Sequence, residues 1–197
     1  MKYIFDLDGT IINSKKRHIL LMKALLKKRG MSIPVNFSFS YMTYKTMGYS
    51  GILFLRDVMK IEEAVALDVQ REWIQHIEDD EWLKYDTLYE DALLTLNKIP
   101  DEKMFLTLRN NRQGLQKELR RFCLDKIDII VLNHNEKKAD AIKNINNDCM
   151  IIGDSEVDWE AANEIGCEFY MVNRGFRNKA YWDAKGVKSY DDLSSLI

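Results

Sequence analysis

A three-residue apolar run, Tyr3-Ile4-Phe5, leads straight into Asp6-Leu7-Asp8-Gly9-Thr10. The run reads as a short buried strand, and the glycine after it as the turn that ends the strand. Side chains two apart on a strand point the same way. Asp6 and Asp8 therefore converge on one small volume at the strand's C-terminal end, where open α/β sheets hold their ligands. Two converging carboxylates repel unless a cation or a proton comes between them. That leaves a metal site, an acid/base pair, or both.

At 197 residues the chain fits one domain, or one domain carrying an insertion. A net charge of −2 gives no electrostatic case for a nucleic-acid or membrane partner. No apolar run approaches the roughly 20 residues of a membrane-spanning helix. Asp6 and Asp8 interrupt what would be a signal peptide's apolar stretch, so the expected location is cytoplasmic. Cys123, Cys149 and Cys167 are odd in number and sit in apolar contexts, which suggests reduced cysteines in the core.

From about residue 14 to 98 the pattern is helical. Ser14 reads as an N-cap, and His18 to Lys28 as a helix closed by Gly30. Pro34 to Tyr41 reads as a loop or a weak helix start. Ile52 to Lys60 and Ile61 to Tyr85 read as helices, and Asp91 to Ile99 as a short one stopped by Pro100. No strand is expected in this stretch. After Pro100 the rhythm alternates. Strands are expected at 103–108, 128–132, 149–154 and 168–173, and helices at 113–122, 137–145 and 157–165. This alternation implies right-handed βαβ units and a parallel sheet. The expected architecture is a doubly wound α/β core from residues 1–13 and 99–197, with residues 14–98 inserted as a helical cap.

Four polar features fall at expected strand ends or helix starts: Asp6/Asp8, Thr107, Lys138, and Gly153-Asp154-Ser155-Glu156-Val157-Asp158. In a parallel sheet they share one edge. The set suits phosphoryl transfer. A phosphoryl group carries about −1.5 to −2 charges near neutral pH, so an attacking carboxylate needs cations beside it. Mg²⁺ takes one or two protein carboxylates together with water and substrate oxygens. Asp6 and Asp154 fit that role. Lys138 would add positive charge, Thr107 a hydroxyl donor, Asp6 the nucleophile and Asp8 a proton carrier.

These segments resemble motifs I to IV of the haloacid dehalogenase (HAD) superfamily: Asp6-Leu7-Asp8-Gly9-Thr10, Thr107, Lys138 and Gly153-Asp154-Ser155-Glu156-Val157-Asp158. The resemblance covers the whole chain. The insertion lies where the family's C1 caps go, and only 31 positions separate Thr107 from Lys138, too few for a C2 cap. The flanking residues are similar to the phosphoglycolate phosphatase and β-phosphoglucomutase branch. The resemblance implies a Rossmann-like, HAD-type core and Mg²⁺ held by Asp6, the Asp8 backbone carbonyl and Asp154. It places Asp158 behind them or against Lys138. The implied activity is a Mg²⁺-dependent phosphatase for a small phosphorylated metabolite, of the sugar phosphate, phosphoglycolate or nucleotide type, acting through an aspartyl-phosphate.

Rival readings remain open at this level. A β-phosphoglucomutase-like sugar phosphomutase has a His at the place of His18. Against it, Gly51 and Asn110 stand where the mutase has Arg and Lys. A catalytically silent regulatory member is the other rival. Lys137 competes with Lys138 for the motif III position. Arg109 either holds a substrate anion or faces solvent. Lys15-Lys16-Arg17 reads as a solvated helix start.

Overall fold

The computed structural model describes every residue except 101, 146 and 147. Six parallel strands form one sheet in the order β5-β4-β1-β6-β7-β8. They are β1 (Lys2–Phe5), β4 (Lys103–Leu108), β5 (Asp128–Leu132), β6 (Cys149–Gly153), β7 (Glu168–Val172) and β8 (Ser189–Tyr190). The chain builds outward from β1 through β4 to β5, then crosses to β6 on the other side. The topological switch, and with it the ligand crevice of a doubly wound sheet, lies at the C-terminal end of β1. Ile4 pairs in register with Met104 on one side and Ile151 on the other, so the central strand is buried on both faces. Such strands are continuous apolar runs, which is why Tyr3-Ile4-Phe5 and Met150-Ile151-Ile152 are readable from sequence.

The segment between β1 and β4 departs from expectation at its ends. Ile12–Asn13 (β2) and Thr87–Leu88 (β3) pair antiparallel, Ile12 opposite Leu88 and Asn13 opposite Thr87. Two-residue strands have no period for a sequence pattern to reveal, so the expectation of no strand in 14–98 fails at Thr87–Leu88. Between them lie α1 (Lys15–Lys28), α2 (Phe37–Thr46), α3 (Gly51–Leu53), α4 (Glu63–His76) and α5 (Asp80–Leu83). α3 runs into a π-helical turn, Phe54–Val58, so the expected helix over 52–60 is broken. The expected helix over 61–85 stops at His76 and restarts at Asp80. The remaining helices are α6 (Ala92–Lys98), α7 (Arg112–Arg121), α8 (Lys138–Ile142), α9 (Glu156–Ile165) and α10 (Lys179–Ala184).

The inserted helices bury a cluster of their own. Leu21, Met22, Leu25 and Leu26 on α1 meet Phe37, Tyr41, Phe54, Ala66 and Val69. Two further clusters lie on the faces of the sheet, one around Phe5, Phe105 and Ile152, the other around Ile4, Leu106 and Ile151. Each fully buried Leu or Phe contributes roughly 1.5–3 kcal/mol, so both regions carry a sizeable core. Cys149 and Cys167 form a disulfide where β6 and β7 begin side by side, with Cα atoms 5.4 Å apart. Cys123 is exposed. Both findings correct the expectation of three reduced cysteines in the core. Adjacent parallel strands bring the two Cα atoms within the span a disulfide bridges.

Candidate active site

The loop after β1 aims the two aspartates apart. The backbone N–H groups of Thr10, Ile11 and Ile12 all donate to the Leu7 carbonyl, at 3.2, 2.9 and 2.8 Å. Gly9 closes the turn with φ +89°, a conformation that disfavours side chains. A Cβ there would also overlap the Asp154 carboxylate, as would one at Gly175. The two glycines thus shape a cradle around Asp154.

Asp6, Asp154 and Asp158 form one buried group, with ligand oxygens all within 4.8 Å of one another. Lys138 Nζ donates to Asp6 at 2.5 Å and to Asp158 at 2.6 Å. Lys138 is buried at the start of α8, while Lys137 is exposed, so the structure brings Lys138 and not Lys137 to this edge. Asp158 also accepts from the Ser155 hydroxyl at 2.6 Å and the Ser155 backbone N–H at 3.2 Å, capping α9. The Phe176 N–H donates to Asp154 at 2.8 Å. Burial, reinforced by Asp158 and Asp8 and opposed by Lys138, pushes Asp6 up to about 7. Burial, then Asp6 and Asp158, hold Asp154 well above the usual carboxylate range. One ammonium is too little positive charge for three carboxylates.

Asp8 turns the other way. Arg109 grips it with Nε on Oδ2 at 2.6 Å and Nη2 on Oδ1 at 3.0 Å. Arg17 Nη2 donates to the same Oδ1 at 2.7 Å. Burial alone would raise the Asp8 pKa, but Arg109 and Arg17 outweigh it and hold the carboxyl well below its ordinary range. Arg109 also meets Glu118 at 3.1 Å, and Arg17 lies 3.4 Å from Asp86. Arg109, expected either to hold a substrate anion or to face solvent, is buried with its Nε and Nη2 donors on Asp8 and Glu118.

Asp6, Asp8, Thr107, Lys138 and Asp154 all line one cavity of about 690 Å³ between the sheet edge and the inserted helices. Thr107 sits near the end of β4 and is 1% exposed. His18 lines the same cavity, its ring 5.0 Å from Trp73 and 4.4 Å from Phe176. Burial and the nearby Lys45 ammonium hold His18 well below its ordinary pKa. The half-buried Lys45 lies over the rings of Phe176 and Trp73, at 5.1 and 5.4 Å, and burial followed by Arg177 brings it down to about 8. Glu78 bridges the two walls, accepting from the Asn111 N–H at 2.7 Å and facing His134 at 2.9 Å.

The sequence reading missed Arg17, Asp86, Glu118 and Glu78. Two of them left a signal. Arg17 and His18 precede Leu21, Met22 and Leu25 by three to eight residues, on α1's buried stripe. Glu118 shares the buried stripe of α7 with Leu115 and Leu119. A charged residue on an apolar stripe is buried, and a buried charge needs a partner.

Comparison with known proteins bears on the family and the fold. The sequence profile of haloacid dehalogenase-like hydrolases matches residues 3–172. No curated protein matches the chain. Among solved structures, a candidate phosphatase from Clostridium difficile superposes with a TM-score of 0.72 at 18% identity, covering 99% of this chain and 95% of that one. A candidate haloacid dehalogenase-like hydrolase from Bacteroides fragilis gives 0.71 at 21%, covering 100% and 99%. A candidate phosphoglycolate phosphatase from Lactobacillus delbrueckii gives 0.68 at 18%, covering 99% and 95%. At these identities the superpositions speak for the fold.

Proposed function

The chain belongs to the haloacid dehalogenase-like hydrolase family, and on that premise we propose that it is a Mg²⁺-dependent phosphatase of a small phosphomonoester. The observation that carries this reading is the buried Asp6/Asp154/Asp158 group, three acids beside the single Lys138 ammonium, opening on a cavity with Thr107. Residues 1–13 and 99–197 act as the core, and residues 14–98 as the cap.

The donor set fits Mg²⁺. Its ligands are hard oxygens, the acids outnumber the cations, and glycines leave Asp154 a cradle free of side chains. The ion would be held by Asp6, Asp154 and the Asp8 backbone carbonyl, and would supply charge neutralisation for an attack by carboxylate on phosphate. Asp6 Oδ attacks phosphorus while the ester P–O bond breaks, leaving an aspartyl-phosphate. The departing oxygen takes its proton from solvent, because the Arg109 and Arg17 guanidiniums hold Asp8 ionised, which corrects the expectation of Asp8 as the acid. A water then gives a proton to Asp8, which passes it to solvent, and attacks the same phosphorus, which frees inorganic phosphate and restores Asp6. Thr107 and Lys138 bind phosphoryl oxygens throughout, and Asp158 keeps Lys138 aimed at Asp6.

The substrate lies in the cavity between Lys138 and Lys45. Its mixed lining of ammonium, His18 and aromatic rings suits a small polar phosphoester. The test is phosphate release from p-nitrophenyl phosphate and from a panel of sugar phosphates, nucleotides and phosphoglycolate, with Mg²⁺ present. Release supports the reading. No release from any of them with Mg²⁺, Mn²⁺ or Co²⁺ would overturn it in favour of a binding protein.

A further inference from the structure

Arg17 is used by no step above, yet it is among the least exposed charged residues of the chain, at 2%. It stands near the beginning of the inserted segment, and Asp86, its second partner, stands at that segment's end, next to β3. Asp8, Arg109 and Glu118 come from the sheet side. Together the five residues run from Asp86 through Arg17, Asp8 and Arg109 to Glu118, and the Asp8 side chain alone has more than a few per cent of its surface open, at 22%.

A buried arginine is a poor stabiliser. Desolvation costs several kcal/mol per ion, and an apolar residue on the same helical stripe would pack at no such cost. Its guanidinium does something an apolar residue cannot, because Nη2 donates to Asp8 Oδ1, an oxygen Arg109 Nη2 also meets. Arg109 sets the carboxylate plane relative to its own fork, and the pair can still turn together about the Arg109 side chain. A second guanidinium on Oδ1 stops that turn.

We propose that Arg17 is a positioning residue for Asp8: with Arg109 it fixes the carboxylate plane, and Asp86 in turn sets the direction of the Arg17 guanidinium. The charge balance is consistent with this arrangement. Burial, opposed by Arg17 and reinforced by Asp8 and Glu118, pushes Asp86 up to about 9. Arg121 adds a third guanidinium, 3.4 Å from Glu118.

The inference rests on the phosphatase reading for its kinetic arm alone. With p-nitrophenyl phosphate, Arg17→Ala lowers kcat by about thirtyfold or more. Arg17 lines the cavity, so a direct substrate contact would raise KM, whereas the clamp predicts a KM within about threefold. Millimolar guanidinium ion restores part of the lost kcat in Arg17→Ala, and Arg17→Lys falls between the two. If kcat is unchanged, or if the loss lies in KM, the proposal is overturned. Should Arg17→Ala fail to fold by circular dichroism, Arg17→Lys and Asp86→Ala are held to the same kcat-against-KM split. A second arm needs no turnover: amide exchange over Gly9–Asn13 is expected to quicken by about tenfold in Arg17→Ala. Unchanged exchange overturns the clamp. A wild-type protein that releases no phosphate sinks the phosphatase reading and leaves this second arm to decide the clamp.

Discussion

Asp6 and Asp8 stand two residues apart, yet their carboxylates live in clusters of unlike balance. Around Asp6 three acids share one ammonium, Lys138. Around Asp8 three acids meet three guanidiniums, those of Arg17, Arg109 and, at Glu118, Arg121. The first group is short of positive charge at the mouth of a cavity. The second is close to neutral and almost closed to water. The two clusters differ in the cations each is given: one ammonium for the first, three guanidiniums for the second.

Four changes would break or sharpen that contrast. Asp6→Asn removes the attacking oxygen, and steady-state assays are expected to find turnover down by about 10⁴-fold or more. Survival of activity would take the nucleophile's role from Asp6. Next, Asp154→Asn strips an anionic ligand from the open cluster. Calorimetric titration with Mg²⁺ should find affinity weaker by about a hundredfold, while an unchanged affinity would place the ion elsewhere. Glu118→Ala acts on the closed cluster and leaves Arg109 short of a partner. Denaturant unfolding is expected to lose about 3 kcal/mol, and a loss below about 1 kcal/mol would mean that the second cluster is not a balanced unit. Asp86→Asn replaces a buried acid, raised to about 9, by a neutral group of the same shape and should cost less than about 1 kcal/mol. A cost as large as that of Glu118→Ala would mean that Asp86 is ionised.

A pH test separates the two clusters without mutation. Asp6 is raised to about 7 in the folded protein, above its unfolded value of 3.8. A raised acid favours the fold fully below the unfolded pKa, and that contribution is lost as pH climbs through the folded one. A cation that binds the ionised form offsets the loss. The rise in melting temperature on adding Mg²⁺ is therefore larger at pH 8 than at pH 6. A rise of equal size at both would mean that Asp6 and Asp154 are ionised throughout.

The open cluster was legible in the sequence and the closed one was not, for a physical reason. Asp6, Thr107, Lys138 and Asp154 sit at ends of apolar strands or at helix starts, and a parallel sheet brings those ends to one edge whatever lies between them. Arg17, Asp86 and Glu118 meet only through the return path of the insertion, and Lys15-Lys16-Arg17 looks like any solvated helix start until the stripe of Leu21, Met22 and Leu25 is followed back one turn. The same limit applies to Glu78, whose partners Asn111 and His134 are 33 and 56 positions away. In the fold, the long alternating half was legible. The two-residue strands β2 and β3 and the strand Ser189–Tyr190 were not, because two residues repeat no pattern, and the π-helical break at Phe54–Val58 was not, because one turn of π-helix keeps the look of a helix. The Cys149–Cys167 pairing depends on the register of β6 against β7, which spacing alone does not fix.

The account turns on the cation that the Asp6 cluster would hold. Its most direct test is phosphate release from p-nitrophenyl phosphate by the chelator-stripped protein, with and without added Mg²⁺. Release that is absent in chelator and restored by Mg²⁺ is the predicted result. Equal release in both would contradict it.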